Sequence, residues 1–206
     1  MQKTPNTFSI HLNHSHKYII KLLIVITLFL FNDAAKADFN TGLDAYQKGD
    51  FKTALSEWLP EAEKGDPYAQ HMLGFLYANG RGVELKPERT VHWWQQAANQ
   101  GFAPAQYTLG SLYRKGLGVP YNLQKAASWI ERAADSGYPN AQFDISVMYA
   151  TGEGVSQNLG KAFMWLDQAA NTRGIDPDKY RKKLDKHLTP AQRIEADEFI
   201  KAWGRK

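Results

Sequence analysis

The apolar positions of residues 105–140 fall into two helical stripes separated by a glycine-rich break. From Ala105, Leu109, Leu112 and Tyr113 follow at i+4, i+7 and i+8, the spacing of one face of an α-helix. Gly116 then stands where a left-handed residue can end the helix without a Cβ clash. Gly118 allows a sharp turn, Val119 is the apolar residue of the loop, and Asn122 suits the N-cap of a second helix. In that helix Ala126, Trp129, Ile130, Ala133 and Ala134 form an i, i+3, i+4, i+7, i+8 stripe, and Gly137 ends it. Small alanines let backbones approach, and the tryptophan is expected to fill the space between them.

The same pattern recurs thirty-six residues earlier and thirty-six later. Ala69, Ala105 and Ala141 are in register, as are Tyr77, Tyr113 and Tyr149, and the pairs Gly80/Gly82, Gly116/Gly118 and Gly152/Gly154. Val83, Val119 and Val155 follow, then Trp93, Trp129 and Trp165 and an Ala-Ala pair in each copy. A period of this length marks stacked supersecondary units, each burying its apolar face against the next. Copies at 69–104, 105–140 and 141–174 define a repeat region of 69–174. Ser146 replaces the glycine found at 74 and 110, Thr90 replaces an alanine, and Lys86-Pro87 replaces the asparagine cap.

Flanking segments read as ends for this stack. Residues 38–68 contain a degenerate helical hairpin: Leu43 and Tyr46 on a first helix, then Phe51, Ala54, Leu55, Trp58 and Ala62 on a second. Pro60 lies inside the second helix, so a kink or break near Glu57 is expected. Residues 175–206 leave the period. Tyr180, Leu184 and Leu188 mark one helix face beginning near Asp176-Pro177, and Thr189-Pro190 is a helix start preceding Ala196, Phe199, Ile200 and Trp203. These helices are expected to cap the array.

The in-register Gly-x-Gly-Val, Trp and Ala-Ala columns resemble the Sel-one-like repeat family, whose units are related to tetratricopeptide repeats. The resemblance covers about half of the chain. It implies an all-α fold, a right-handed α/α solenoid of helix-loop-helix repeats with capping helices at both ends. It also implies a protein-binding scaffold, not an enzyme, with first helices lining a concave groove. Cysteine-rich members of the family carry a disulfide in each repeat. This chain of 206 residues has no cysteine, so properties of those relatives are not expected of it.

Composition, 43% hydrophobic and 22% charged, is that of a globular protein. Residues 1–37 differ in kind. Lys3, Lys17 and Lys21 precede the apolar run Leu22 to Phe31, and Ala35-Lys36-Ala37 supplies small residues two apart, the pattern of a secretory signal peptide. Cleavage is expected after Ala37, giving a periplasmic or secreted protein; an uncleaved segment would instead tether it to a membrane. The whole chain has a pI near 9.1. The first 37 residues hold four of its 25 basic and one of its 21 acidic residues, which leaves 21 and 20. A near-neutral remainder gives no footing for nucleic-acid binding. Charge is nonetheless segregated: residues 38–172 carry 11 basic and 14 acidic residues, and 173–206 carry 10 and 6. Lys179, Arg181, Lys182, Lys183 and Lys186 form a basic cluster.

Signatures of catalysis are missing. His71, His92 and His187 follow the leader without metal-ligand spacing, no short serine-nucleophile motif occurs, and the glycine pairs follow helices where a phosphate loop would follow a strand. No cofactor or metal is expected. On the first helices, positions 71, 75 and 78 and their equivalents vary while lying opposite the recurring face. They are His71, Phe75 and Ala78; Tyr107, Ser111 and Arg114; Phe143, Val147 and Ala150. His71, Phe75, Tyr107, Arg114 and Phe143 are therefore the candidate partner-binding residues, the competing reading being that they pack against the adjacent first helix. The alternative function is an envelope enzyme or inhibitor acting on cell-wall glycan or its hydrolases.

Overall fold

The computed structural model describes residues 39–174 and 176–203, and among them there are helices and no strands. Residues 39–47 form α1, followed by α2 (Phe51–Glu63), α3 (Pro67–Asn79), α4 (Pro87–Asn99) and α5 (Ala103–Lys115). Then come α6 (Leu123–Asp135), α7 (Pro139–Thr151), α8 (Leu159–Arg173), α9 (Pro177–Leu184) and α10 (Pro190–Trp203). Each helix from α2 to α9 packs on its neighbours in sequence, and α10 folds back on α8, the contact pattern of a solenoid. The expected leader, the cleavage site and the side chain of Trp203 lie outside the described residues.

Local sequence explains where the helices begin and end. The side chains of Asp50, Asp66, Asn122 and Asn158 accept from the backbone N–H three residues on, occupying an otherwise orphaned donor. At α10, Thr189 and Gln192 exchange such bonds, a complete capping box. Gly80, Gly116 and Gly152 take the left-handed conformation that ends each first helix. The second glycine of each loop has an added role: a Cβ on Gly154 would lie 2.3 Å from the Leu123 carbonyl oxygen, at the start of the preceding second helix. That glycine lets the loop press against the previous repeat.

Within a repeat, a large side chain of the second helix sits on a small residue of the first. A Cβ on Gly42 would come within 2.3 Å of the Trp58 indole, one on Gly74 within 2.3 Å of Trp94, and one on Gly110 within 2.6 Å of Ile130. Trp58 donates to the Phe39 carbonyl at 3.2 Å and Trp94 to the His71 carbonyl at 3.0 Å, in each case three residues before the glycine. In the third repeat Ser146 is fully buried and donates to the Phe143 carbonyl at 2.6 Å, so a hydroxyl on the small residue itself does the work of the missing indole. A glutamine column binds successive repeats together. The amides of Gln70 and Gln106 donate to Ala62 and Ala98 at 3.0 and 3.2 Å, satisfying carbonyls at the end of the preceding second helix.

Three expectations need correction. α2 runs through Pro60 to Glu63 without a break, although the proline has no N–H to donate to the Ser56 carbonyl one turn back. Trp129 is half-buried, unlike Trp93 and Trp165 in the same column, and Arg132 lies 4.7 Å from its ring. Phe143, Val147 and Ala150 do not face outward: all three are buried in a cluster that includes Tyr180, Leu184 and Leu188 of the C-terminal segment. α9 takes the place of a fourth first helix, with Tyr180 against Phe143.

Candidate functional site

Positions 71, 107 and 143 lie where one first helix meets the next. His71 meets Phe102, the N-cap of α5, at 5.3 Å between ring centroids; Tyr107 meets Tyr138, the N-cap of α7, at 5.3 Å; Phe143 meets Tyr180 of α9 at 5.4 Å. One ladder of contacts thus closes three junctions, each with different chemistry.

The α3/α5 junction is aromatic. His71 lies between Phe75, at 4.9 Å, and Phe102, with Trp94 beneath, and it is buried. Burial without a charged partner holds its pKa down at about 4, so the imidazole is neutral near pH 7. Above it the aromatic surface is open. Tyr68 is 55% and Phe75 36% exposed, and Tyr68 reaches Phe102 at 4.6 Å.

The α5/α7 junction is polar. Tyr107 donates its hydroxyl to Asp144 Oδ2 at 2.9 Å. Arg114 grips Glu153 through Nε and Nη2, both at 2.8 Å, and approaches Asp144 at 3.9 Å. A two-pronged guanidinium–carboxylate pair of this kind holds one geometry. Burial pushes the Asp144 carboxyl above its usual value, against the opposing pull of Tyr107, Arg114, His187 and Lys183. Burial and the adjacent Asp144 push the Tyr107 hydroxyl up in turn, so it remains a donor.

The α7/α9 junction is aromatic below and basic above. Lys183 Nζ lies 4.6 Å from the Phe143 ring centroid and 5.8 Å from that of Tyr180, and His187 approaches Phe143 at 6.2 Å.

Of the five residues singled out from sequence, Phe75 is exposed, Tyr107 and Arg114 are half-buried and mutually linked through Asp144, and His71 and Phe143 are buried as junction packing. Tyr68, Asp144, Glu153, Lys183 and His187 belong to the same face and were not singled out as groove residues. Asp144 and Glu153 left one trace in the sequence, carboxylates thirty-seven and thirty-nine residues after the tyrosine and arginine they serve. Among the described residues no group of three or more His, Asp or Glu side chains is placed to hold a metal ion. No helix there is long and apolar enough to cross a membrane.

The family model for the Sel1 repeat matches residues 67–102, 103–138 and 139–171. The chain belongs to the Sel1 repeat family. The matched units have the thirty-six-residue period read from the columns and begin two residues earlier, at the first turn of α3, α5 and α7. Curated proteins give no match. Among solved structures, a Sel1 repeat protein from Oxalobacter formigenes superposes with a TM-score of 0.64 at 29% identity, over 71% of this chain and 57% of that one. A protective antigen of uropathogenic Escherichia coli with an SLR fold superposes with a TM-score of 0.56 at 36% identity, over 60% of this chain and 26% of its own. This chain therefore spans about a quarter of one relative and just over half of the other. Sel1 repeat proteins are generally protein-interaction scaffolds and typically not enzymes.

Proposed function

We propose that this Sel1 repeat protein is an exported scaffold that binds another protein or peptide through the face formed by its first helices. The observation that carries this reading is the open aromatic surface of Tyr68 and Phe75 above the α3/α5 junction. Aromatic side chains lose little entropy on binding and concentrate interface energy, so an exposed pair on a rigid helix is suited to anchor a partner. Arg114 and Tyr107 lie farther along the same row of helices, half-buried and held by Glu153 and Asp144. The reading as a glycan enzyme needs two carboxylates free to face one another, whereas Asp144 and Glu153 on this face are both engaged by Arg114. Export rests on the charged start, apolar run and Ala35-Lys36-Ala37 of the leader, and places the mature N-terminus at Asp38.

Cross-linking in envelope fractions, with the captured protein identified by mass and its affinity measured for Tyr68→Ala/Phe75→Ala, tests the interaction. Loss of the captured partner with a melting curve that moves little is expected. A partner held equally well by the double variant would remove the aromatic surface from the interface. N-terminal sequencing of the same fractions tests export, and retention of Leu22 to Phe31 would refute cleavage after Ala37.

A further inference from the structure

α9 is short and unusually basic on one side. Its lysines at 179, 182 and 183, with Lys186 just past its end, fall within one stripe of the helix surface, which borders the buried face of Tyr180 and Leu184 at Lys183. All four lysines are exposed, and none forms an ion pair within 4.0 Å among the described residues, whereas Arg181 on the flank is held by Asp185 at 2.8 Å and Asp197 at 2.7 Å. Helix stability accounts for only part of this. Cations in the last turn are favoured by the helix dipole, which covers Lys182 and Lys183. Lys179 stands in the first turn, where a positive charge is disfavoured, and Lys186 lies beyond the helix. The stripe borders the third junction, because Lys183 rests over Phe143 and Tyr180.

We propose that this lysine stripe is a docking surface for an acidic, extended segment of the partner protein. The inference rests on the scaffold reading and gives one end of its interface a charge. Charge complementarity identifies the occupant: the C-terminal segment carries the surplus of positive charge, 10 basic against 6 acidic residues over 173–206. Spacing narrows it further. Lys179 and Lys183 are one turn apart, roughly 6 Å along the axis. Alternate side chains of an extended strand are separated by about 7 Å on one face. A segment with acidic residues at every second position would therefore meet successive lysines in register. A lipid surface fits less well, since Asp178 and Asp185 flank the stripe and a flat anionic layer would meet them together with the lysines.

The test is a titration of the chain lacking residues 1–37 with a fluorescent peptide of alternating glutamate and serine, followed by anisotropy at low salt. Binding is expected to weaken as ionic strength rises to about 0.15 M. Lys179→Glu/Lys183→Glu should lower affinity by about tenfold or more, the combined effect of removing and reversing two exposed charges. Lys182→Gln/Lys186→Gln, which leaves the ring contact of Lys183 in place, should lower it by a smaller factor. Lys48→Glu/Lys52→Glu carries the same change in net charge at the other end of the array and should leave it within about twofold. Equal loss in the Lys48/Lys52 variant would overturn the assignment, as would no measurable binding of the peptide. Binding to phosphatidylglycerol–phosphatidylcholine vesicles without binding to the peptide would overturn it in favour of a membrane surface. A captured partner held normally by Lys179→Glu/Lys183→Glu would refute the lysine site and leave the scaffold reading standing. Failure to capture any partner would refute the scaffold reading while the peptide titration still decides the stripe.

Discussion

The α3/α5 and α5/α7 junctions share one backbone geometry and oppose each other in chemistry. In the first, a buried neutral imidazole is wrapped in aromatic rings. In the second, a tyrosine and an arginine serve two carboxylates. The repeat therefore fixes where a side chain is placed and leaves open what it is. A position that varies between repeats need not contact an outside partner; it can vary because each junction is packed by its own local set. Side chains are left exposed where a junction closes below an aromatic layer, as at Tyr68 and Phe75, or below a charged one, as at Lys183.

The largest contrast is expected from the side chains under the two junctions. Trp94 fills the space above Gly74 and donates to His71, so Trp94→Ala removes both the packing and the hydrogen bond of the first junction. A loss of about 3–5 kcal/mol in denaturant titration is expected. A loss below about 1 kcal/mol would mean that the junction collapses to fill the hole.

Next in size is the response to acid, and the two junctions have opposite signs. His71 has its folded pKa depressed, from 6.5 to about 4. The unfolded chain binds a proton more readily, so stability is lost as pH falls from 6.5 towards 4. That interval corresponds to on the order of 3 kcal/mol. Asp144 has its folded pKa raised above 3.8, so the folded chain holds its proton more tightly. Its contribution is present below 3.8 and is lost as pH rises through the folded value. His71→Leu should flatten the acid limb of a stability-against-pH curve between 6.5 and 4, and Asp144→Asn should leave that limb in place. An unchanged limb in His71→Leu would show that the imidazole is solvated.

A smaller effect is expected from Tyr107→Phe, which keeps the ring against Tyr138 and removes the bond to Asp144. Leaving a half-buried carboxylate short of a donor costs about 1 kcal/mol, with Arg114 at 3.9 Å to offset part of it. Tyr107→Phe/Asp144→Asn in a double-mutant cycle should recover a coupling of about 1 kcal/mol. Strict additivity would mean that the bond contributes nothing to the second junction.

The sequence columns were a good guide wherever the same residue does the same work in every copy. Alanines, the left-handed glycines, Asn122 and the Thr189-Pro190 start all have the roles their spacing implied. The solenoid follows from them. Legibility failed where the partner lies in the next repeat and has no counterpart elsewhere. Asp144 corresponds to Met72 and Thr108, and Glu153 to Arg81 and Leu117, so no column announces either. Trp129 misled for the converse reason. Its column is shared, yet it is only half-buried, and the large core position of that repeat is Ile130, which is fully buried against Gly110. Phe143, too, was read on a period that stops before α9, and it is α9 that covers it.

The smallest stability change is expected at Phe75, and it separates packing from binding most cleanly. Its ring is 36% exposed and touches His71 at 4.9 Å and Trp94 at 5.4 Å, so Phe75→Ala removes contacts from the top of the aromatic junction and leaves no enclosed cavity. A cost of about 1 kcal/mol or less is expected, well below that of Trp94→Ala. The second junction already has a serine at the equivalent position, Ser111, whose hydroxyl donates to the Tyr107 carbonyl at 3.0 Å. The solenoid thus closes at that site without an aromatic side chain. If Phe75 serves the partner, Phe75→Ala should weaken binding by about tenfold or more while the melting curve moves little. Phe75→Ser, which copies the second junction, should behave in the same way. A melting curve that falls as far as that of Trp94→Ala would place Phe75 in the core, and the two junctions would then differ only in how they are packed. Full stability with full binding would leave the aromatic layer without a role in recognition and move the interface towards α9.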